Sequence, residues 1–352
     1  MDSEEEIKFN KILIINLGGI GDVLLSAPAL RALKASFPGA KISILVVPRV
    51  YAFVRGLAYI DAADIFYRDI WHIFSDIKVL LKLRKEHFDL AINMRTLVSK
   101  RSAEAIRLML NIVAPKLKAG RDTDGRGYFF DIKIPETLKG QKYEMEYDID
   151  TVKALGAEVL DRNIDLKIDE ENTNKIELIL AQEGVSKAGM LIGVHPGGGS
   201  TRRWSVENFS KVINAVGNKT ACKFVITGGK DEIGLANKLA RLVNTKVVNL
   251  SGKLNFPELV ALIKRCDIFI SNDTGPMHIA VILKTPLVAI FGAGDIIRFD
   301  PRNISDKAIV LYKKVECAPC EKFKCADLKC LKIITPGDAV EAALSLLDKK
   351  NA

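Results

Sequence analysis

Short apolar runs alternate with helix-like segments in the first third of the chain. Runs at 11–16, 41–47 and 88–94 predict strands, and the apolar spacing near 23–37 and 70–85 predicts helices. A Pro-Gly pair breaks the chain between the first helix and the second strand. Because strands and helices alternate, this part of the chain predicts a parallel sheet of the Rossmann type.

A second and more regular series begins after residue 185, and all but the last of its predicted strands are followed by a predicted helix. These strands are apolar throughout, which predicts that helices cover both faces of their sheet. They lie at 190–196, 223–229, 246–250, 267–273 and 286–292. We therefore predict an α/β protein with two Rossmann-like domains, at 1–175 and 186–335.

The region between about 120 and 174 is more polar, and its periodicity is weaker. It predicts little regular structure, and we expect a linker between the domains near 165–190. The chain of 352 residues, 48% of them hydrophobic, is long enough to fill two ordinary cores.

Neither a membrane helix nor a secretory signal is indicated by the sequence. No apolar run reaches the roughly 18 residues that a membrane span needs. The start of the chain, MDSEEEIKFN, is acidic and polar, unlike a secretory leader. We therefore expect a cytoplasmic protein.

The net charge is +9, and the basic excess is concentrated at 41–126, where 16 basic residues face 9 acidic ones. Such an excess suits nucleic acid, anionic lipid or a phosphorylated substrate, and an ordinary basic surface explains it equally well. Aromatic residues make up 7% of the chain and do not interleave with the basic runs, so we expect no nucleic-acid partner.

The loop GGIGD follows the first predicted strand, where parallel sheets bind ligands. Gly19 and Gly21 begin a dinucleotide fingerprint, but Leu24 stands where its third glycine belongs. The acidic residue expected after the second strand is also missing. What remains is a carboxylate, Asp22, at a helix entrance, where it can cap the helix or serve chemistry.

The loop HPGGGSTRRW follows the first strand of the second series. Its glycines let backbone N–H groups approach an anion, while its hydroxyls and guanidinium groups suit phosphate oxygens. It is not a Walker A loop, and a flexible basic turn remains the alternative. The candidate anion-binding residues are Gly197, Gly198, Ser200, Thr201 and Arg202, with Gly199 and Arg203 beside them.

The stretch NDTGPMHIA carries the most specific pattern. Pro276 suits a first helical turn, so the free N–H groups after Thr274 and Gly275 should point beyond the end of a strand. Asp273 and His278 lie near that anion site. His278 taken alone is better explained as a buried helix histidine, but its place between this helix start and the arginine-bearing glycine loop favours a diphosphate contact.

Three segments together resemble the ADP-heptose:lipopolysaccharide heptosyltransferase family, glycosyltransferase family 9. They are LGGIGDVLLSAPALRALKASFPGAKI, IGVHPGGGSTRRWSVENFSKVI and ISNDTGPMHIAVILKTPLVAIFG. The resemblance implies two Rossmann-like domains facing across a cleft, the GT-B architecture. It implies inverting transfer of heptose from ADP-heptose to an inner-core lipopolysaccharide sugar, with no cofactor or catalytic metal required. In this architecture the final helix, about 336–352, returns to pack on the first domain.

The resemblance also implies roles for particular residues. Asp22 would be the general base, and Asp273, Thr274, Gly275 and His278 would bind the diphosphate. Arg202 stands where the family usually has lysine, which keeps the charge and alters the geometry. Leu254 would contact adenine, and Asp231 or Glu232 would reach the base or ribose.

The anionic glycolipid acceptor gives the basic first half a function. We expect Gly19 and Gly21 to leave room for it, and Arg95, Lys100 and Arg101 to hold it at the cytoplasmic face of the inner membrane. Two alternatives stay open: a related GT-B transferase with another nucleotide sugar or acceptor, and a non-catalytic protein that binds nucleotides or nucleic acid.

Four cysteines lie close together near the end of the second series, at Cys317, Cys320, Cys325 and Cys330. They could hold a structural zinc ion, although only one C-x-x-C is present. Packed thiols or pairs formed on oxidation are the alternatives, and we assign no metal to the reaction. Cys222 and Cys266 border predicted strands, which indicates core positions.

Overall fold

The computed structural model describes residues 8–320, 322 and 324–351. The acidic start of the chain, from which we predicted the absence of a leader, lies largely outside them. The chain divides into two units, 1–164 and 165–352. The boundary between the units lies earlier in the chain than predicted. Helix 170–182 belongs to the second unit because it packs on helix 256–265 of that unit.

The first unit contains a parallel sheet of six strands in the order β3-β2-β1-β4-β5-β6. Its central strands are the predicted apolar runs, and β1 is buried along nearly its whole length. The order reverses between β1 and β4, so the loops after these two strands lie at the switch point where such sheets bind ligands. The strands are β1 (Lys11–Asn16), β2 (Lys41–Val46), β3 (Ala62–Ile65), β4 (Leu90–Asn93), β5 (Leu117–Thr123) and β6 (Ile132–Glu136). The helices are α1 (Ile20–Ser36), α2 (Pro48–Val54), α3 (Ile73–Arg84), α4 (Lys100–Val113) and α5 (Glu144–Lys153).

The second unit repeats this plan, with six parallel strands in the order β12-β11-β10-β7-β8-β9. Its switch point lies between β7 and β10, so the loops HPGGGSTRRW and NDTGPMH end at the same edge. The strands are β7 (Met190–His195), β8 (Cys222–Ile226), β9 (Val247–Asn249), β10 (Ile268–Asn272), β11 (Leu287–Phe291) and β12 (Ala308–Tyr312). The helices are α6 (Glu170–Gln182), α7 (Val206–Gly217), α8 (Ile233–Leu242), α9 (Phe256–Arg265), α10 (Gly275–Ile282), α11 (Ile296–Phe299), α12 (Lys329–Lys332) and α13 (Pro336–Asn351).

These two parallel sheets confirm the predicted α/β class. Both faces of the central strands are buried, as continuous apolar runs require. The sequence pattern missed strands β3, β5, β6 and β12, helices α2, α4 and α5, and the short helices α11 and α12. Of these, β5 and β6 carry charged residues that are paired inside the protein, and such residues look like surface residues in the sequence.

The final helix corrects one expectation. We expected it to return to the first domain, but α13 packs against α7 and strands β10 to β12 of the second unit. Ala339, Ala343 and Leu347 are buried there in the same core as Trp204. The Trp204 indole N–H donates to the Ile334 carbonyl at 3.2 Å, which fixes the chain just before α13 begins.

Candidate functional site

Asp22 lies in the first turn of α1, at the switch point of the first sheet. The Gly19 N–H donates to its Oδ2 at 2.6 Å, so the predicted helix cap is present. Its other oxygen, Oδ1, lies 2.5 Å from Arg95 Nη1. A Cβ atom at Gly18 would lie 2.5 Å from Asp22 Cβ, so the loop needs glycine there. The cap fixes the carboxylate and leaves its side chain 18% exposed, accessible to a substrate.

Arg95 joins Asp22 to the interior of the first unit. It follows β4, and its Nη1 also lies 3.4 Å from Glu144 Oε1. Burial lowers the pKa of Arg95, but the carboxylates of Asp22 and Glu144 outweigh burial and raise the pKa above its ordinary value. Arg95 therefore stays a cation, held between the exposed carboxylate and a buried one.

A fully buried guanidinium, Arg121 on β5, lies beneath this pair. Its Nη1 contacts Glu136 Oε1 at 3.2 Å and Glu144 Oε1 at 2.7 Å, while its Nη2 bonds to Asp148. These three carboxylates raise the pKa of Arg121, against the opposing effect of burial. We call Arg121, Glu136, Glu144 and Asp148 the buried charge network. The sequence analysis missed it because all four residues lie in the polar region from 120 to 174.

The Ser26 hydroxyl links the buried charge network to the backbone of Asp22. The Ser26 hydroxyl lies 2.6 Å from Asp148 Oδ2 and 2.9 Å from the Asp22 carbonyl oxygen. Asn16, at the end of β1, donates to the same hydroxyl at 2.9 Å. Ser26, one turn after Asp22, thus ties the Asp22 carbonyl to the network and helps fix the position of the Asp22 backbone.

Asp148 is the member of the network that titrates at mildly acidic pH. Burial raises the pKa of Asp148 to about 6, with Arg121 opposing the rise and Glu144 adding to it. Between pH 4 and 6 the folded protein therefore keeps a proton on Asp148 that the unfolded chain releases. Stability from this proton is present at low pH and is lost as the pH rises through 6.

We therefore expect the difference in unfolding free energy between the wild type and Asp148→Asn to decrease with pH. The decrease should be about 3 kcal/mol between pH 4 and 6.5, measured by urea unfolding at a series of pH values. Asp150→Asn, on the exposed side of the same helix, is the matched control. A pH-independent difference for Asp148→Asn would contradict the buried ionisation.

The other predicted acceptor residues lie at the start of α4. Lys100 and Arg101 form its first turn after the Ser99 cap, and both are exposed. Gly19 is the N-cap residue of α1 and Gly21 is buried in its first turn. The structure thus brings Arg95 directly to Asp22 and leaves Lys100 and Arg101 on the surface.

The glycine loop of the second unit is fastened by Glu232. Its Oε1 accepts the Gly198 N–H at 2.7 Å and its Oε2 accepts the Gly229 N–H at 2.8 Å. A Cβ atom at Gly197 would displace the Glu232 carboxylate, and Gly198 has φ of +120°, a conformation that favours glycine. One N–H that we expected to face an anion is therefore bonded within the protein.

His195, which the sequence analysis did not single out, supports this carboxylate. Its Nε2 lies 3.8 Å from Glu232 Oε2, and its Nδ1 lies 3.1 Å from Thr227 Oγ1. Burial lowers the pKa of His195 in spite of the attraction of Glu232. Burial raises the pKa of Glu232, but His195 and the two backbone donors outweigh it and lower the pKa.

Asn272, at the end of β10, pins both ends of the glycine loop. Its Nδ2 donates to the carbonyls of Pro196 and Gly197 at 3.0 and 2.8 Å, and its Oδ1 accepts the Trp204 N–H at 3.0 Å. The two loops predicted to bind an anion are therefore joined by side-chain bonds. In the sequence, only the position of this asparagine directly before DTG indicated that it could join the two loops.

Arg202 and Asp273 pair across these two loops. Arg202 Nη1 lies 3.1 Å from Asp273 Oδ2, and the aspartate side chain is almost fully buried while the arginine is 28% exposed. Thr274 is the N-cap residue of α10, with Gly275 and Pro276 opening the helix as predicted. A guanidinium and a helix N-terminus thus lie at one switch point, an arrangement suited to a diphosphate.

The remaining candidates are placed as follows. The Thr201 hydroxyl donates to the Lys322 carbonyl at 2.8 Å, and Arg203 donates to the Gly198 carbonyl at 2.6 Å, so both stabilise the loop. His278 is buried in α10 with its ring edge-on to Phe299 at 5.9 Å. Ser200 and Asp231 are exposed, and Leu254 is half-buried after β9.

The four late cysteines do not form a metal site among the described residues, where no group of three or more His, Cys, Asp or Glu side chains is placed to hold an ion. Burial raises the pKa of the Cys330 thiol, and Cys317 and Cys320 add to the rise, so these three lie near one another. Cys317 and Cys325 are exposed, and Cys266 is buried as expected.

The family model, the sequence relatives and the solved structures that match this chain all include glycosyltransferase family 9 proteins or heptosyltransferases. The family model described as glycosyltransferase family 9 (heptosyltransferase) matches residues 77–331. The chain is 27% identical over 344 residues to lipooligosaccharide heptosyltransferase 2 of Campylobacter jejuni, covering 93% of this chain and 95% of that protein.

Two solved structures share the fold. A glycosyltransferase family 9 protein from Veillonella parvula has a TM-score of 0.77 at 22% identity, covering 98% of this chain and 99% of that one. The Escherichia coli ADP-heptose lipopolysaccharide heptosyltransferase II has a TM-score of 0.72 at 21% identity, covering 97% and 100%. These likenesses confirm the fold class expected from the sequence.

Proposed function

Because this chain belongs to glycosyltransferase family 9, the heptosyltransferases, we propose that it moves heptose from ADP-heptose to a sugar of the lipopolysaccharide inner core. The family and the enzyme class expected from the sequence are thereby confirmed. The proposal of donor and acceptor is supported by the relatives, which are named as lipooligosaccharide and ADP-heptose lipopolysaccharide heptosyltransferases. The observation that carries the mechanism is the Asp22 carboxylate, fixed by Gly19 and Arg95 at a switch point.

In the proposed reaction Asp22 is the general base. It takes the proton from an acceptor hydroxyl as that oxygen forms a bond to the anomeric carbon of heptose. The bond from that carbon to the diphosphate oxygen breaks, and its electron pair leaves with ADP. Direct displacement of this kind inverts the anomeric carbon, because the nucleophile enters opposite the leaving group.

The leaving diphosphate gains negative charge in this step, and the second unit supplies the groups that suit it. Arg202 and the backbone N–H groups at the start of α10 can stabilise that charge without rearrangement. The base comes from the first unit and the diphosphate groups come from the second. The chemistry needs no metal ion when a guanidinium and a helix N-terminus take this role.

We expect Arg202→Met to lower the affinity for ADP about 10- to 100-fold, corresponding to roughly 1.5–3 kcal/mol for a lost charged hydrogen bond. The substitution also leaves the buried Asp273 carboxylate without its Arg202 partner, next to the incoming diphosphate. Titration calorimetry with ADP measures the change. Arg241→Met, on the exposed end of α8, makes the same charge change as a control, and equal affinity of both variants would remove Arg202 from the site.

The acceptor in this proposal is anionic, and Arg95, Lys100 and Arg101 are the cations that we propose for it. Arg95 touches Asp22, so an acceptor phosphate or carboxylate bound by Arg95 would bring a neighbouring hydroxyl to the base. We place the enzyme in the cytoplasm, at the inner face of the membrane that carries this acceptor. None of the described helices is long and apolar enough to cross a bilayer.

A panel of nucleotide sugars, tested for binding and then for turnover with defined truncated lipopolysaccharides, examines the proposal. We expect turnover with ADP-heptose, and NMR of the product should show an inverted anomeric carbon. Turnover only with another nucleotide sugar would identify a related GT-B transferase. Binding without any turnover would indicate a non-catalytic protein.

A further inference from the structure

An exposed row of large apolar side chains lies on the first unit, on α3 and the turn before it. Trp71 is 86% exposed, Phe74 78% and Ile70 77%. Such a concentration of exposed apolar side chains usually marks a surface that binds a protein, a membrane or a ligand. We call this surface the apolar ridge, and its members are Ile70, Trp71, Ile73, Phe74, Ile77 and Leu81.

The apolar ridge continues along one side of α3. Ile73, Ile77 and Leu81 follow one another at helical spacing, with Phe74 beside them. The neighbouring side of the helix is buried against the unit through Asp76, Leu80 and Leu83. The helix therefore has one wide apolar face, of which the core covers only a part.

The ridge is held in place by the fold. The Asp69 carboxylate accepts the Trp71 and His72 N–H groups, each at 3.0 Å. The buried Asp76 carboxylate accepts the Tyr67 and Arg68 N–H groups at 2.8 and 3.0 Å. Local bonds thus fix the turn that presents Trp71 to solvent.

The charges beside the ridge are basic. Lys78, Lys82 and Lys85 lie next to the apolar side on the helix surface, and all three are exposed. Lys82 pairs with Asp64 at 2.6 Å. The two acidic residues of this segment, Asp69 and Asp76, bond to the local backbone, and Asp76 is buried. Helix α4, which packs on α3, adds the exposed cations Lys100 and Arg101 at its start.

This combination fits an anionic bilayer better than a second copy of the chain. Tryptophan suits the headgroup level of a membrane, and lysines beside an apolar side can reach anionic headgroups. A symmetric pairing of two ridges would instead bring two rows of lysines together at short range, which is unfavourable.

We propose that the apolar ridge docks the protein on anionic lipid bilayers, with Trp71 and Phe74 inserted among the headgroups. The inference deepens the proposed function, on which it rests for the lipid-linked nature of the acceptor. It assigns the membrane contact to the first unit, the same unit that carries Asp22 and the proposed acceptor cations. Docking there would hold that unit at the surface from which the acceptor projects.

Binding to vesicles tests the inference without donor or acceptor, so the result stands whether or not heptosyl transfer is found. The full chain is mixed with vesicles of phosphatidylglycerol and phosphatidylethanolamine, and bound protein is measured by sedimentation. We expect the wild type to bind these vesicles and to bind pure phosphatidylcholine much more weakly. Trp71→Ser combined with Phe74→Ser should reduce partitioning at least about tenfold.

Tryptophan fluorescence gives a second measurement, because Trp71 and Trp204 are the two tryptophans and Trp204 is buried. We expect a blue shift on vesicle binding and quenching by brominated lipid. Lys78→Glu combined with Lys85→Glu should remove the preference for anionic lipid. Leu160→Ser with Leu178→Ser, two exposed leucines outside the ridge, is the matched control and should bind as the wild type does.

Three results would overturn the inference. They are absence of binding to anionic vesicles, equal binding by the Trp71 and Phe74 double variant, and an unchanged Trp71 spectrum on binding. Self-association that the same double variant abolishes, without vesicle binding, would assign the ridge to a second copy.

Discussion

Replacing Asp22 with asparagine lowers kcat for heptosyl transfer by about 10²- to 10⁴-fold, if this carboxylate is the general base. Asparagine keeps an oxygen that can accept the Gly19 N–H, so the helix cap survives while proton transfer is lost. The affinity for ADP-heptose should remain close to that of the wild type, because the diphosphate groups belong to the second unit. Steady-state turnover together with calorimetric binding separates these two effects.

A matched control exists at the start of α13. Asp338 accepts the Thr335 N–H at 2.7 Å and pairs with Lys313 at 2.7 Å, so it repeats the capping and pairing of Asp22 at another helix. Asp338→Asn should leave kcat unchanged. Equal turnover of Asp22→Asn and the wild type would exclude Asp22 as the base and leave it a structural cap.

The second large effect concerns folding of the first unit. Arg121→Met removes the guanidinium that touches Glu136, Glu144 and Asp148, and it leaves their carboxylates buried around an apolar side chain. Removing one partner of a buried charge cluster typically costs about 3–5 kcal/mol. We expect a loss of this size in the opening free energy of β5 and β6, measured by hydrogen exchange with mass spectrometry.

The second unit supplies an internal control, because its amides should keep their protection. Arg107→Met is the matched variant: Arg107 pairs with Glu104 at 2.7 Å on an exposed face of α4, and we expect no measurable change. Arg121→Lys keeps the charge but loses the planar guanidinium that binds two carboxylates at once. The amide protection of β5 and β6 in this variant should lie between that of the wild type and that of Arg121→Met. Unchanged protection in Arg121→Met would show that the network contributes nothing to stability.

The predicted elements were most accurate where the core is apolar. The run at 11–16 is β1 with the same bounds, and the segment at 70–85 contains α3. The loops HPGGGSTRRW and NDTGPMH, singled out as anion sites, lie at the switch point of the second sheet, and GGIGD lies at that of the first. Buried apolar residues recur at the spacing of a strand or a helix, so the sequence alone predicts their positions.

The buried charges were not predictable in this way. Arg121 and Asp148 are 27 residues apart, and Ser26 and Asp148 are 122 apart. A charged residue in a polar stretch reads as surface unless its partners are known, and the partners meet only after β5, β6 and α5 have packed. The same holds for the bond between Glu232 and Gly198, which are 34 residues apart.

The sequence by itself determined the fold class, the family and the positions of the loops at the strand ends, since each follows from local periodicity or a short motif. The tertiary structure alone decided which side of α3 faces solvent, where α13 packs and which cation meets Asp22. These features depend on free energies of burial and pairing between residues that are distant along the chain. Local sequence patterns therefore predict the fold class and the loop positions, whereas contacts between distant residues are known only from the packed protein.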